Sequence, residues 1–328
     1  MRHLRITKSL AFLAGLSLIA WWRRPLPTTW QDPGPAARQG QLAYRTSGHG
    51  GVPVLLLHGM VGSSRFWGVE YDRLSINGQV VAVDLLGFGG SPRPQGRYDM
   101  AAHVDAVLAT LDEVGITEAV VIGAHSLGAL IAIGVAVEAP ERVAGIVMFG
   151  PPLYSSSEQA RERIGGLGGM SRLLALDTPL AARVCAWMCT HRATAARLAV
   201  VLRPDLPGAI ARDSVQHSWD SYSGTMRNVI LAGATANEVT LAARRLAERA
   251  PRGATRIGQP LRIVFGDRDL VVDRAALDAL AREIPQLRVE AWRGGHDLPL
   301  RDPQRCIGAI MDMQRSVAPF TRDGHDTI

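Results

Sequence analysis

The sequence predicts an α/β protein built on a mostly parallel sheet, and three observations support this prediction. Short apolar runs that end in glycine or aspartate alternate with longer segments of helical periodicity. These runs are almost continuously apolar, as expected for parallel strands buried on both faces. The alternation lapses once, in a long stretch with only helical patterns, and then returns. We therefore expect parallel strands joined by right-handed crossovers, with one helical insertion.

The predicted elements follow one another closely along the chain. The first strand, 41–46, is expected at an edge of the sheet. Further strands are predicted at 52–59, 79–89, 119–124, 143–152, 260–267 and 287–295. Helices are predicted at 100–115, with Gly115 as the C-cap, at 127–139, and at 273–285 and 303–317. The helix at 127–139 is apolar nearly all round, so it is expected to be buried.

The insertion is predicted at 153–259. It carries helical patterns at 171–189, 193–202 and 237–250. A structureless loop of this length is implausible in a compact domain, so we expect a helical unit. The expected organisation is an N-terminal segment with a linker at 1–39, a core at 40–152 and 260–318, the insertion between them, and a tail at 319–328.

The composition indicates a globular protein that does not bind nucleic acid. The 328 residues are 47% hydrophobic and 20% charged, with a net charge of +6 and a pI near 9.8. Lys8 is the only lysine, and the arginines are scattered among alanines, leucines and acidic residues rather than interleaved with aromatics. The three cysteines predict neither a disulfide framework nor a metal site. Cys185 and Cys189 share one face of a predicted helix, which favours a packing role and says nothing about the compartment.

The N-terminus carries a short apolar segment, 6–22, with basic residues on both sides. Trp21 and Trp22 at its end are typical of a membrane interface, and no small-residue cleavage site follows. The segment is at the short end of what spans a bilayer. We expect an uncleaved membrane anchor; a cleaved export signal and a soluble helix remain alternatives.

Ser126 lies where a predicted strand turns directly into a predicted helix, in the stretch GAHSLG. Such a turn lifts the hydroxyl above the sheet edge, while the helix N-terminus and the Leu127 amide face the same space. Ala124 stands where a glycine is usual in this short motif. A serine that only caps the helix is the simpler alternative.

Three other predicted strands deliver reactive groups to the same sheet edge. His58 and Gly59 follow an earlier strand, and the turn after them can aim the Met60 amide above Ser126 as a second oxyanion donor. We expect His58 itself to be structural. After the insertion, one strand ends in the pair Asp267 and Asp269, and the next ends in the glycine-flanked His296. A serine nucleophile requires an imidazole base and a buried carboxylate to orient that base, so we predict a catalytic role for Ser126 and His296.

The motifs HGMVGSS, DLLGFGGSPRP, GAHSLG, GDRDLVV and GGHDLPLRDP together resemble the α/β-hydrolase fold family, in the form that carries a helical cap, from about residue 40 to 318. The resemblance implies a mostly parallel, doubly wound sheet of the α/β-hydrolase type with 153–259 as the inserted cap. It also implies that Asp269, in a G-x-x-D motif, is the acid and that Asp267 serves the turn. Asp84 is implied to form a turn. A serine at 126, rather than an aspartate, argues against relatives that open epoxides or remove halide.

The resemblance implies hydrolysis of an apolar carboxylic ester or lipid-like substrate, with no metal or cofactor. Trp187, Trp219 and Tyr222 are expected to line an apolar pocket, although they could instead pack the core of the insertion. A hydrolase of C–C bonds in ring-cleavage products, a thioesterase and a cofactor-free haloperoxidase remain alternatives. A catalytically silent binding protein is the alternative of another class. The sequence does not predict an oligomeric state.

Overall fold

The computed structural model describes residues 30–38, 40–166, 178–232, 239, 241–242, 261–284 and 287–317. Its centre is an eight-stranded sheet with the order β1-β2-β4-β3-β5-β6-β7-β8. Strands β3 to β8 are parallel, while β2 runs antiparallel to both β1 and β4. The strands are β1 (Ala37–Arg38), β2 (Ala43–Gly51), β3 (Val54–Leu57), β4 (Gly78–Val83), β5 (Val120–His125), β6 (Val143–Phe149), β7 (Leu261–Gly266) and β8 (Leu287–Trp292).

The α/β prediction with a mostly parallel sheet is confirmed, with one correction at the edge. The strand expected at 41–46 is β2, and it is not an edge strand, because the two-residue β1 pairs along its outer side. The strand expected at 79–89 ends at Val83. Asp84 stops it by turning the chain: its carboxylate accepts hydrogen bonds from the amides of Ser64, at 2.6 Å, and Gly90, at 2.7 Å.

Helices cover both faces of the sheet because successive strand residues point to opposite sides. In β3, Leu55 and Leu57 pack in one buried cluster, while Val54 and Leu56 pack in the other. The helices are α1 (Met100–Val114), α2 (Leu127–Glu138), α3 (Ser157–Gly166), α4 (Pro179–Thr190), α5 (Arg192–Leu202), α6 (Gly208–Asp213), α7 (Trp219–Thr225), α8 (Arg274–Glu283), α9 (Leu298–Arg301) and α10 (Pro303–Val317). Helices α1, α2 and α8 share the first cluster, and α10 shares the second with the 3-10 segments Ser64–Trp67 and Val69–Ile76. The sequence did not indicate these 3-10 segments.

Helix boundaries follow local capping chemistry. Helix α1 begins where the Asp99 carboxylate accepts from the Ala102 amide, and it ends at Gly115, which has a φ of 79° as a left-handed C-cap requires. Helix α4 begins after Thr178, whose hydroxyl caps the Ala181 amide, with a proline in the first turn.

The described part of the segment between β6 and β7 is helical and rests on the loops of the core. Ser63 donates a 2.6 Å hydrogen bond to Asp213 at the end of α6. Helix α7 lies against Gly87, since a β-carbon there would be 2.4 Å from that of Ser221. A π-helical turn, Met226–Ile230, follows α7 and buries Met226, Val229 and Ile230. Most of the helix expected at 237–250 lies outside the described residues.

The expected anchor at 6–22 also lies outside the described residues. Within the described ranges, none of the helices combines the length and the apolar character that crossing a bilayer requires.

Candidate active site

Ser126 occupies a strained turn between β5 and α2. Its backbone has φ 52° and ψ −117°, a conformation that L-residues rarely adopt and that stores about 1–3 kcal/mol. The Ser126 amide donates a 3.0 Å hydrogen bond to the carbonyl of Phe149 at the end of β6. The turn is therefore held by the neighbouring strand, and it places the serine at the carboxyl edge of the sheet.

Small residues allow the close packing around this turn. A β-carbon on Gly128 would lie 2.5 Å from the carbonyl oxygen of Leu57, so only glycine lets α2 approach the end of β3. Ala124 lies in β5 beside Leu57 and Met148, and its methyl group is fully buried. The alanine that replaces the usual glycine is thus accommodated inside the sheet.

Asp269 and His296 form a hydrogen-bonded pair beyond the ends of β7 and β8. The Nδ1 of His296 lies 2.9 Å from Oδ2 of Asp269. The other carboxylate oxygen accepts from the amide of Val271 at 2.8 Å. The Asp269 side chain is fully buried and that of His296 is 24% exposed. Because Nδ1 donates to the carboxylate, Nε2 is left to accept a proton, and no described residue is bonded to it.

The electrostatics of the pair favour a charged imidazole. Burial alone would lower the pKa of His296, but the hydrogen bond and charge of Asp269 outweigh it and raise that pKa above its ordinary value. Burial likewise tends to raise the pKa of Asp269, yet its bonds to His296 and to the Val271 amide lower it overall. Asp269 therefore stays ionised and stabilises positive charge on His296.

Asp267 has a different role from Asp269. Its carboxylate accepts a 2.9 Å hydrogen bond from the Gly294 amide and lies 3.7 Å from Nε of Arg268. Its side chain is 47% exposed. The structure thus ties Asp267 to Gly294 in the loop after β8 and brings only Asp269 to the histidine.

The loop after β3 carries the predicted oxyanion donor Met60. The His58 Nδ1 donates to the Gly59 carbonyl at 2.7 Å, and the His58 Nε2 accepts from the Leu85 amide at 2.8 Å, so this histidine is a structural element of the loop. A β-carbon on Gly59 would lie 3.1 Å from that of Ser126, which brings the loop next to the serine. The amides of Met60 and Leu127 have no acceptor among the described residues.

Val61 is a feature of this loop that the sequence did not reveal. Its φ of 53° is the only other positive value at a non-glycine residue in the described chain. A β-branched residue in this conformation is a strong outlier. Strain of this kind is concentrated at functional sites, and here it lies one residue from Met60.

His125 adjoins the site without being bonded to the Asp269 carboxylate. Its ring stacks on Phe66, with centroids 4.6 Å apart, and its centroid is 4.8 Å from that of His296. The His125 Nε2 donates to the backbone carbonyl of His296 at 3.1 Å. Burial, with some repulsion from His296, lowers the pKa of His125 to about 3, so the ring is neutral.

The three aromatic residues predicted for a substrate pocket differ in location and in exposure. Trp219 and Tyr222 stack on each other in α7, and Tyr222 is buried against His217. The indole of Trp187, on α4, is 42% exposed and stacks on His191. No contact among the described residues joins Trp187 to Ser126, Asp269 or His296.

A surface cleft lies apart from these residues. It has a volume of about 330 Å³, lies between α1 and α2, and includes none of the predicted site residues. No three side chains of the metal-binding types are grouped together within the described ranges.

Gly150 is the site residue that the sequence analysis missed. It follows β6 with a φ of 58°, and a β-carbon there would be 3.0 Å from both Oδ2 of Asp269 and Nδ1 of His296. Gly150 follows a predicted strand that ends at the same sheet edge as Ser126, and this position could have indicated that it lies in the site.

Known proteins resemble this chain in sequence and in structure. It is 25% identical over 261 residues to the probable lysophospholipase BODYGUARD 5 of Arabidopsis thaliana, across 74% of this chain and 56% of that protein. It is 36% identical over 144 residues to the 2-hydroxymuconate semialdehyde hydrolase of Pseudomonas putida, across 40% and 51% respectively. The chain thus spans about half the length of these relatives.

A carboxylesterase structure from Nitrososphaera gargenis superposes with a TM-score of 0.61 at 17% identity, covering 89% of this chain and 98% of that one. At this identity the likeness shows the fold alone. The sequence profile of the alpha/beta hydrolase fold family matches residues 52–303, which is most of the chain. Together with the sheet order and the turn at Ser126, this match identifies the chain as a member of the α/β hydrolase fold family.

Proposed function

We propose that the protein is a serine hydrolase that cleaves apolar carboxylic esters through an acyl-enzyme, with Ser126, His296 and Asp269 as its triad. The observation that carries the proposal is the 2.9 Å hydrogen bond between His296 and the buried Asp269, at the sheet edge where the strained turn presents Ser126. A buried carboxylate that orients an imidazole is what a serine nucleophile requires.

In the proposed reaction, Oγ of Ser126 attacks the acyl carbonyl while its proton moves to Nε2 of His296. The amides of Met60 and Leu127 hold the oxyanion. The intermediate collapses as His296 returns the proton to the leaving alcohol. Water then attacks the acyl-enzyme while one of its protons moves to Nε2 of His296. The bond to Oγ breaks as His296 returns that proton to Oγ, which releases the acid and restores Ser126.

An apolar ester is the proposed substrate class, with a lipid-like ester as its favoured form. Trp219, on α7, and Met60 are partly buried and pack against the apolar cluster that also holds Leu127. The similarity to a probable lysophospholipase of Arabidopsis thaliana and to an archaeal carboxylesterase supports ester hydrolysis. A membrane anchor at 6–22 would suit such a substrate, and we propose this location. Detergent dependence of the full chain, compared with a chain that starts at Gln31, tests it.

Labelling with a fluorophosphonate tests the nucleophile. Native protein should be labelled at Ser126 and should hydrolyse a series of esters from acetyl to palmitoyl, with a preference for longer chains. Ser126→Ala should lose both labelling and turnover while its thermal unfolding stays close to that of the native protein. A folded native protein that is not labelled would favour a catalytically silent binding role.

Cleavage of C–C bonds is the second candidate, because the chain is 36% identical over 144 residues to the 2-hydroxymuconate semialdehyde hydrolase of Pseudomonas putida. Both reactions use the same three residues. Comparison of kcat/KM for the ester series and for a vinylogous diketone distinguishes them, since the better substrate class should lead by orders of magnitude.

A further inference from the structure

Exposed apolar side chains are concentrated on two adjacent helices of the insertion. Eight large hydrophobic residues are exposed in the described chain, and five of them lie on α4 and α5. These five are Leu180, Trp187, Leu198, Val201 and Leu202. Val201 is 69% exposed and Leu180 is 58% exposed. Single exposed hydrophobic residues are ordinary, but such a concentration marks a surface that contacts a partner.

Each helix presents these side chains on one face. In α5 the exposed positions 197, 198, 201 and 202 share a stripe, while Ala195 and Ala196 are buried. In α4 the exposed positions 180, 183 and 187 share a stripe, while Ala181 and Cys185 are buried. The helices therefore pack with small residues inward and leave their larger aliphatic and aromatic side chains outward. This is the reverse of what a helix facing only water would show.

The charge of this surface has one sign. The stretch 178–204 contains no aspartate or glutamate, whereas it contains four arginines. Arg203 pairs with Asp205 beyond the stretch, and Arg192 is bonded to backbone carbonyls of Val215 and His217. Arg183 and Arg197 are exposed on the two stripes, and neither has a carboxylate partner among the described residues.

We propose that the outward faces of α4 and α5 form a surface that binds an anionic lipid bilayer. Aliphatic side chains enter the apolar boundary, Trp187 lies at the level of the headgroups, and Arg183 and Arg197 reach the lipid phosphates. A bilayer is favoured over a second copy of the chain, because two such faces would bring unpaired arginines together. Membrane binding by this surface does not depend on the hydrolase activity, and the surface is separate from the proposed anchor at 6–22.

Hydrogen exchange of the full chain with phosphatidylcholine vesicles, with and without phosphatidylglycerol, tests the proposal. Amides of α4 and α5 should exchange at least about tenfold more slowly on the anionic vesicles than on the neutral ones. A tenfold slowing corresponds to about 1.4 kcal/mol of protection. Since exchange is read segment by segment, an anchor at 6–22 would not by itself protect these helices. Unchanged exchange in α4 and α5 would overturn the proposal.

Matched variants separate the apolar and the charged contributions. Val201→Asp with Leu202→Asp should abolish the protection, whereas Ile76→Asp, at a position 76% exposed on the core, should leave it intact. Arg183→Gln with Arg197→Gln should raise the lipid concentration for half-protection about 30-fold, since each arginine contributes about 1 kcal/mol near an anionic surface. Arg282→Gln, at an exposed position of α8, is the charge control. Protection that appears without vesicles and grows with protein concentration would show a contact between copies and overturn the proposal.

Discussion

Asp269 and His296 are joined by a 2.9 Å hydrogen bond in which the carboxylate is fully buried and the imidazole is 24% exposed. The other carboxylate oxygen of Asp269 accepts from the Val271 amide, so the carboxylate is fixed and its bond to Nδ1 leaves Nε2 of His296 without a partner among the described residues. This asymmetry suits a base that must meet substrate while its partner stays ionised and shielded from water.

Replacement of Asp269 by asparagine should lower kcat about 10⁴-fold, because the amide would stabilise the wrong tautomer of His296. Asp267→Asn is the matched control, since that side chain is 47% exposed and its contact with the loop after β8, a hydrogen bond accepted from the Gly294 amide, can be kept by the asparagine amide oxygen. It should change kcat less than about threefold, within the scatter of surface substitutions. If the two variants exchanged these effects, the acid would be Asp267. Steady-state kinetics with a soluble ester measures both.

Activity should fall on the acid side with a midpoint above 6.5, the ordinary pKa of histidine. His296 must be neutral to accept the serine proton, and Asp269 raises its pKa. In Asp269→Asn the midpoint of kcat/KM should move downwards, because burial then acts on His296 without the opposing charge. A pH profile of the residual activity checks this. A midpoint that stays in place would mean that another group controls the acid limb.

Gly150→Ala should disturb the pair directly. The new β-carbon would lie 3.0 Å from both Oδ2 of Asp269 and Nδ1 of His296, tighter than such contacts normally are. We expect kcat to fall by about 10²-fold, as a shift of about 1 Å in a catalytic group can cause. Gly115→Ala is the control, because Gly115 also has a positive φ but has nothing within 4 Å of the added carbon. Both variants should lose about 1–2 kcal/mol of stability, but only Gly150→Ala should lose activity.

Ser126→Gly should stabilise the protein while it removes the nucleophile. The backbone at Ser126 has φ 52° and ψ −117°, which glycine adopts without a penalty. The gain relative to Ser126→Ala, which keeps the strain, should be about 1 kcal/mol. Chemical denaturation of the two inactive variants measures it. Equal stabilities would mean that the turn costs the fold nothing.

The sequence predicts the features that follow from the order of strands and helices along the chain. It does not predict features that arise when residues distant in sequence come into contact. The apolar runs predict the strands. Because the carboxyl ends of parallel strands lie at one edge of the sheet, they also predict that Ser126, Asp269 and His296 lie at that edge. The two-residue β1 has too few residues for a pattern, so β2 was mistaken for an edge strand. Gly150 and Val61 matter through a contact and a backbone angle, neither of which a single sequence records.

His125 should act by positioning the loop that carries His296. Its Nε2 donates to the His296 carbonyl at 3.1 Å, and its ring is held by stacking on Phe66. His125→Ala should lower kcat about 10²-fold with little change in KM, because the loop loses the contact that fixes it. His125→Gln should recover much of the rate, since its amide nitrogen can donate from about the same place as Nε2. The acid-side midpoint should stay where it is in both variants, because His125, with a pKa of about 3, is neutral throughout. Loss of the acid limb in His125→Ala would instead identify His125 as the titrating base.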